Sequence, residues 1–182
     1  LKGLGGYHLA CDAANPEAVN LLRERKKRSD RPFALMAFDI ETIQDCCEVS
    51  AAEAFQLQTP QRPIVLLRKS ENCHLPDQVA PLQQHLGFML PYTPLHHLLL
   101  AGPLPVLVMT SGNLSEEPIA IGNEEALARL GGIADAFLLH DREILQRSDD
   151  SIIRMAAGAP MIMRRSRGYV PEPVLLARPL PE

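Results

Sequence analysis

The chain has 182 residues, 46% hydrophobic and 22% charged, with a net charge of −4 at neutral pH. These values suit a globular domain with a real core, and they exclude a surface basic enough to bind nucleic acid as a whole, so any anion site must be a local basic patch. No apolar run is long enough to span a membrane. The four cysteines (Cys11, Cys46, Cys47, Cys73) form no C-x-x-C pair and read as reduced thiols in a cytoplasmic protein, not as a disulfide frame or zinc site.

The chain opens on Leu1-Lys2-Gly3, with no methionine and no signal peptide. We expect a piece of a longer protein whose first strand is cut short. Asn15-Pro16-Glu17 caps and starts a helix that carries Ala18, Val19, Leu21 and Leu22 and runs out in the cations Arg23 to Arg28. Phe33 to Phe38 is a continuous apolar run and predicts a buried strand. Asp39 opens a short helix through about Cys47, and Ser50-Ala51-Ala52-Glu53 is a capping box for another. Ile64 to Leu67 is a second buried strand, and residues 70–82 form a loop.

Gly87 to Leu90 predicts a short strand, and Thr93-Pro94 caps a helix through Leu100. Val106 to Met109 is a strand that leads into the turn Thr110-Ser111-Gly112-Asn113. Asn123 caps a helix bearing Ala126, Leu127 and Leu130, which Gly131-Gly132 stops. Ala136–Leu139, Ser151–Met155 and Met161–Arg164 read as strands, the last two joined as a hairpin through Ala156-Ala157-Gly158-Ala159, so the sheet is mixed. Beyond Tyr169 the prolines (Pro171, Pro173, Pro179, Pro181) mark 172–182 as a linker toward a further domain, which leaves 1–171 as one α/β domain.

Several segments carry chemistry. Lys26 and Arg28, followed by Arg31-Pro32, are either a solvated helix end or a polyphosphate grip in which Lys gives a point charge and Arg a bidentate fork. Ser111 and Asn113 lie beyond a strand's carboxyl end, where ligands gather in α/β sheets, but the same residues also build ordinary turns. Glu116 and Glu117 are either magnesium ligands or surface. Ser148-Asp149-Asp150-Ser151 is either a metal or substrate site or a loop entering a strand. Arg164 and Arg165 leave an apolar strand on opposite faces, and an inward arginine calls for an anion such as phosphate. His96 and His97 cannot share a helix face. No P-loop, zinc motif or complete dinucleotide fingerprint is present.

Taken in order, six segments resemble the YrdC-like domain of the HypF carbamoyltransferases of hydrogenase maturation. They are Lys2–Ala13, Arg25–Met36, Leu90–His97, Met109–Pro118, His140–Arg142 with Asp149–Ser151, and Arg164–Pro171. The wider family shares a Lys-x-Arg and a later Ser-x-Asn, here Lys26/Arg28 and Ser111/Asn113. The resemblance implies a twisted open sheet with flanking helices around a positively charged cavity, and formation of carbamoyl adenylate from ATP, Mg2+ and carbamate derived from carbamoyl phosphate. It implies further HypF domains and HypE as partners.

By the same resemblance Lys26 and Arg28 are catalytic and take phosphates. Thr110, Ser111, Asn113, Arg164 and Arg165 complete the nucleotide contacts, and Lys2, Gly5, Tyr7, Asp150 and Ser151 face the small substrate. Threonylcarbamoyl-adenylate synthases of tRNA modification belong to the same wider family. They carry a Pro-Thr-Glu-Thr-type stretch where this chain has Lys2 to Gly5, which favours carbamate over threonine. Double-stranded RNA is the alternative partner that the resemblance raises.

Overall fold

The computed structural model describes residues 1–114 and 117–174. In chain order the elements are β1 (His8–Asp12), α1 (Pro16–Lys26), β2 (Ala34–Ala37), α2 (Ile40–Gln44), β3 (Cys47–Glu48), α3 (Ala51–Gln58), β4 (Ile64–Lys69), β5 (His85–Met89), α4 (Pro94–Leu100), β6 (Val106–Ser111), α5 (Asn123–Leu130), β7 (Ile152–Ala156) and β8 (Ala159–Arg164). The strands form one mixed sheet of order β1-β6-β2-β5-β4-β7-β8, with β3 appended to β4. The β2–β5 and β4–β7 pairs are parallel and the others antiparallel.

The helices start where their caps dictate. The Asn15 side chain accepts from the Glu17 and Ala18 amides, and Ser50 and Glu53 exchange the two bonds of a capping box. The side chains Val19, Leu22, Ile43, Leu57, Ala126 and Leu130, from α1, α2, α3 and α5, join one large core cluster against the sheet. A second, smaller cluster holds Met36, Ile64, Met89, Leu107, Met109 and Leu100 of α4. The β7–β8 hairpin turns through Ala157 and Gly158, both at positive φ (49° and 79°), as a two-residue loop that keeps the sheet's twist requires.

Three expectations are corrected. Residues 136–139 form no strand: the Leu138 carbonyl accepts from the Lys2 amide, but no strand among the described residues pairs alongside. The helix opened by Asp39 ends at Gln44, because Cys47 and Glu48 pair with Lys69 and Arg68 of β4. Asn123 is the first residue of α5, not its cap. The Glu125 carboxylate accepts from the Ile121 and Gly122 amides, while the Asn123 side chain reaches Tyr7 and His140. In addition, His8–Asp12 forms a strand that the sequence did not announce, since it has no β-branched residue.

Candidate functional site

The basic segment owes its shape to how α1 ends. Lys27 adopts the left-handed conformation (φ 51°, ψ 44°), its amide bonds to the Glu24 carbonyl, and the Arg28 amide returns to the Arg23 carbonyl. This turn separates the two cations that one residue parts in sequence. Lys26 stays on the helix's inner face with no exposed surface, and its Nζ donates to the carbonyls of Ser111 (2.7 Å) and Asn113 (2.6 Å) and to Asn113 Oδ1 (3.2 Å). Burial, reinforced by the like charge of Arg28, pushes the Lys26 pKa down to about 7.

Arg28 passes across the turn and donates to the carbonyls of Arg31 and Pro32. Burial lowers its pKa to about 10, with Arg23, Arg31 and Arg164 contributing repulsion. The sequence offered no reason to single out Arg23, yet it laces this segment together. Its guanidinium donates to the Gln78, Ser29, Arg31 and Val79 carbonyls and lies 4.6 Å from the centre of the Phe33 ring.

The second half of the site is the end of β6. The Ser111 hydroxyl donates to Asn113 Oδ1 (2.7 Å), and Asn113 Nδ2 donates to the Glu117 carbonyl. Gly112 is required between them, because a Cβ there would lie 2.7 Å from the Tyr7 carbonyl oxygen that accepts from its amide. The structure thus joins the Lys-x-Arg and Ser-x-Asn segments directly, through the buried Lys26 ammonium beneath the 111–113 turn.

Above them lies a cavity of about 630 Å3, within the ordinary size of ligand pockets. Arg28, Arg31, Thr110, Ser111, Asn113, Asp150 and Arg164 line it, with Phe33, Ile64, Ile152 and Met163 as apolar walls. Glu117 lines it too and is ion-paired with Arg129 at 2.8 Å; Glu116 lies outside the described residues. A second cavity of about 590 Å3, lined by Leu9, Leu21, Leu22, Leu107, Leu130 and Phe137, is apolar, and its charged side chains Arg25 and Asp135 are paired with each other. It offers an oxyanion nothing, so the first cavity is the candidate site.

The remaining candidates separate. Arg164 faces the cavity and donates to the Asp150 carbonyl at 2.8 Å, whereas Arg165 turns away to the carbonyls of Tyr169 and Glu172. Lys2 Nζ donates to the His140 carbonyl, the Tyr7 hydroxyl donates to Asn123 Oδ1 at 2.6 Å, and Gly5 packs on Ser148, so none of the three lines the cavity. Ser151 is fully buried and ties the Arg167 carbonyl to the Ser166 amide. These four positions, with Arg165, are scaffold in this structure, because each side chain or backbone contact is committed within the protein.

Asp150 does line the cavity, and it centres a buried network that the sequence concealed. Its Oδ2 accepts from His8 Nε2 (3.0 Å), and its Oδ1 accepts from Arg167 Nε (2.8 Å) and the Tyr92 hydroxyl (3.3 Å). The Arg167 guanidinium stacks 3.6 Å from the Tyr92 ring centre, and His96 meets the Tyr92 ring edge-on. The partners come from β1, the segment before α4, and the chain beyond β8, too far apart in sequence to be grouped by spacing.

A family model described as Sua5/YciO/YrdC, telomere recombination, matches residues 1–166. The carbamoyltransferase HypF of Rhodobacter capsulatus is 54% identical over 171 residues, which are 94% of this chain and 22% of that protein. The HypF of Synechocystis sp. is 48% identical and is matched over 98% of this chain and 23% of its own length. The chain therefore spans about a quarter of the length of these relatives. Among solved structures, full-length HypF in its phosphate- and nucleotide-bound form superposes with a TM-score of 0.94 at 50% identity, covering 97% of this chain and 28% of that one. Sua5 of P. abyssi complexed with L-threonine has the same fold, with a TM-score of 0.78 at 18% identity over 91% of this chain and 49% of that one.

Proposed function

The chain belongs to the Sua5/YciO/YrdC family, and from that premise we propose that it is the adenylate-forming unit of a HypF-type carbamoyltransferase. Carbamate, derived from carbamoyl phosphate, attacks the α-phosphorus of ATP through a carboxylate oxygen. The bond from that phosphorus to the oxygen bridging the β-phosphate breaks, and pyrophosphate leaves with the electron pair. The carbamoyl adenylate then passes to another domain of the longer protein for transfer to HypE.

The observation that carries this reading is the meeting of Arg28, Ser111, Asn113 and Arg164 around one cavity, with Lys26 bonded to the Ser111 and Asn113 carbonyls from beneath. An anion attacking an anion needs charge neutralisation and alignment more than a strong base. Arg28 and Arg164 supply fixed positive charge on the walls, where a guanidinium fork suits phosphate oxygens. Thr110, Ser111 and Asn113 present short polar groups at the α-phosphate, and Lys26 holds their turn in place from beneath while adding its charge. Mg2+ would be held chiefly by the phosphate oxygens of ATP, as is usual for this ion at nucleotide sites, and would add to the neutralisation of the leaving pyrophosphate; no step is assigned to it.

The glycine-rich start is packed tightly against the protein's own backbone. A Cβ at Gly5 would come within 2.3 Å of the Ser148 carbonyl oxygen, and one at Gly3 within 2.7 Å of the Gly6 carbonyl oxygen. The test is exchange of labelled pyrophosphate into ATP with Mg2+, ammonium and bicarbonate. Carbamate-dependent exchange is expected. ATP binding without exchange would rule out catalysis by this chain alone, and exchange driven by threonine would move the chain to the synthase reading.

A further inference from the structure

Arg23 is only 8% exposed, and among the described residues all of its hydrogen bonds go to main-chain carbonyls. Arginine is almost never this buried without a paired charge, because taking its guanidinium out of water is costly. A buried cation held on neutral acceptors calls for a reason. Arg23 is not on the wall of the candidate cavity, so direct contact with a ligand is not that reason.

The carbonyls come from two segments. Arg28, Ser29 and Arg31 belong to the loop that follows α1, and Gln78 and Val79 belong to the segment before β5. The Phe33 amide adds a further link to the Val79 carbonyl at 2.8 Å. The Arg23 and Arg28 guanidiniums both lie over the Phe33 ring, 4.6 and 5.3 Å from its centre. A planar fork with five N–H donors can span acceptors spread over two segments, whereas an ammonium has three donors on one atom.

This arrangement has an electrostatic consequence at the cavity, which Arg28 and Arg31 line. Arg23, Arg31 and Arg164 all repel Arg28, so the cations resist being gathered. The bonds from Arg23 hold the loop in shape against that repulsion. They also keep on a cation three carbonyl oxygens, those of Arg28, Ser29 and Arg31, whose partial negative charge would repel a polyphosphate.

We propose that Arg23 is a positioning residue for polyphosphate binding, acting through Arg28 and Arg31 by fixing the loop that carries them against the segment before β5. The inference rests on the reading of the cavity as a nucleotide site.

The test is calorimetric titration of the 182-residue chain with ATP and with AMP, the readout being the ratio of the two affinities. Arg23→Lys keeps the charge but not the fork, and is expected to lower the ratio about tenfold, mainly through weaker ATP binding. In an Arg28→Ala/Arg31→Ala background the same substitution is expected to change the ratio by less than about twofold, since the residues it acts through are gone. A merely structural role would leave the ratio unmoved or lower it equally in both backgrounds. Circular dichroism checks the fold of each variant. Should Arg23→Lys fail to fold, Phe33→Leu, which removes the ring beneath both guanidiniums, decides by the same cycle, with about a threefold fall expected in the wild-type background and none in the other. An unchanged ratio in the folded variant, or a fall that persists in full without Arg28 and Arg31, would overturn the proposal alone. Failure of the wild-type chain to bind ATP more tightly than AMP would overturn the reading of the site beneath it.

Discussion

Lys26 shows how much one buried charge can organise. Its ammonium satisfies two main-chain carbonyls and a side-chain amide of the 111–113 turn, which no apolar residue could do. Replacing it by methionine removes the charged donor that braces this turn, at about 1.5–3 kcal/mol for a hydrogen bond to a charged group, so Lys26→Met is expected to weaken ATP binding at least tenfold in a titration. Its pKa makes a second prediction. At pH 8, above the folded-state value of about 7, Lys26 is largely neutral, and an approaching polyphosphate favours its charged form. Nucleotide binding should therefore take up a proton at pH 8 and less at pH 6, as read from calorimetry in buffers of different ionisation enthalpy. Stability should move with the same group. Between about pH 7 and the ordinary lysine range the unfolded chain binds the extra proton, so this contribution to stability rises with pH across that window.

Elements were legible where local chemistry decides them. The starts of α1, α3 and α4 follow from Asn15, Ser50 and Thr93, whose side chains cap them as their sequence contexts predict. The end of α1 was less legible, because Lys27 is a non-glycine residue in the left-handed region. Such a residue costs about 1 kcal/mol relative to glycine, so Lys27→Gly is expected to raise the melting temperature while ATP affinity holds. Strands proved harder. The short apolar run at residues 136–139 has the composition of a strand but no strand paired alongside it among the described residues, whereas His8–Asp12 has an unremarkable composition and a complete antiparallel partner in β6. Pairing, not propensity, decided both.

At the scale of the whole molecule, Asp150 clamps β1 to the segment that follows β8. His8 and Arg167, which it joins, lie near opposite ends of the chain. Removing one member of a buried charge network leaves the others uncompensated, typically at about 3–5 kcal/mol. Asp150→Asn should lower the urea midpoint accordingly, and a double-mutant cycle with Arg167→Met should reveal strong coupling. A loss no larger than that of an exposed ion pair would show the clamp to be weaker than its geometry implies. By itself the sequence determined the α/β class, the helix starts, the β7–β8 hairpin and the two motif segments that meet in the cavity. All of these depend on caps, turn residues, apolar runs and short fixed spacings that a chain carries locally. Only the tertiary structure decided that Lys26 supports the Ser111–Asn113 turn from beneath, that Arg164 and not Arg165 faces the cavity, and that His8 stands across from Ser111 on Asp150. Those relations depend on strand register and on side chains brought together from distant positions, which no local pattern encodes.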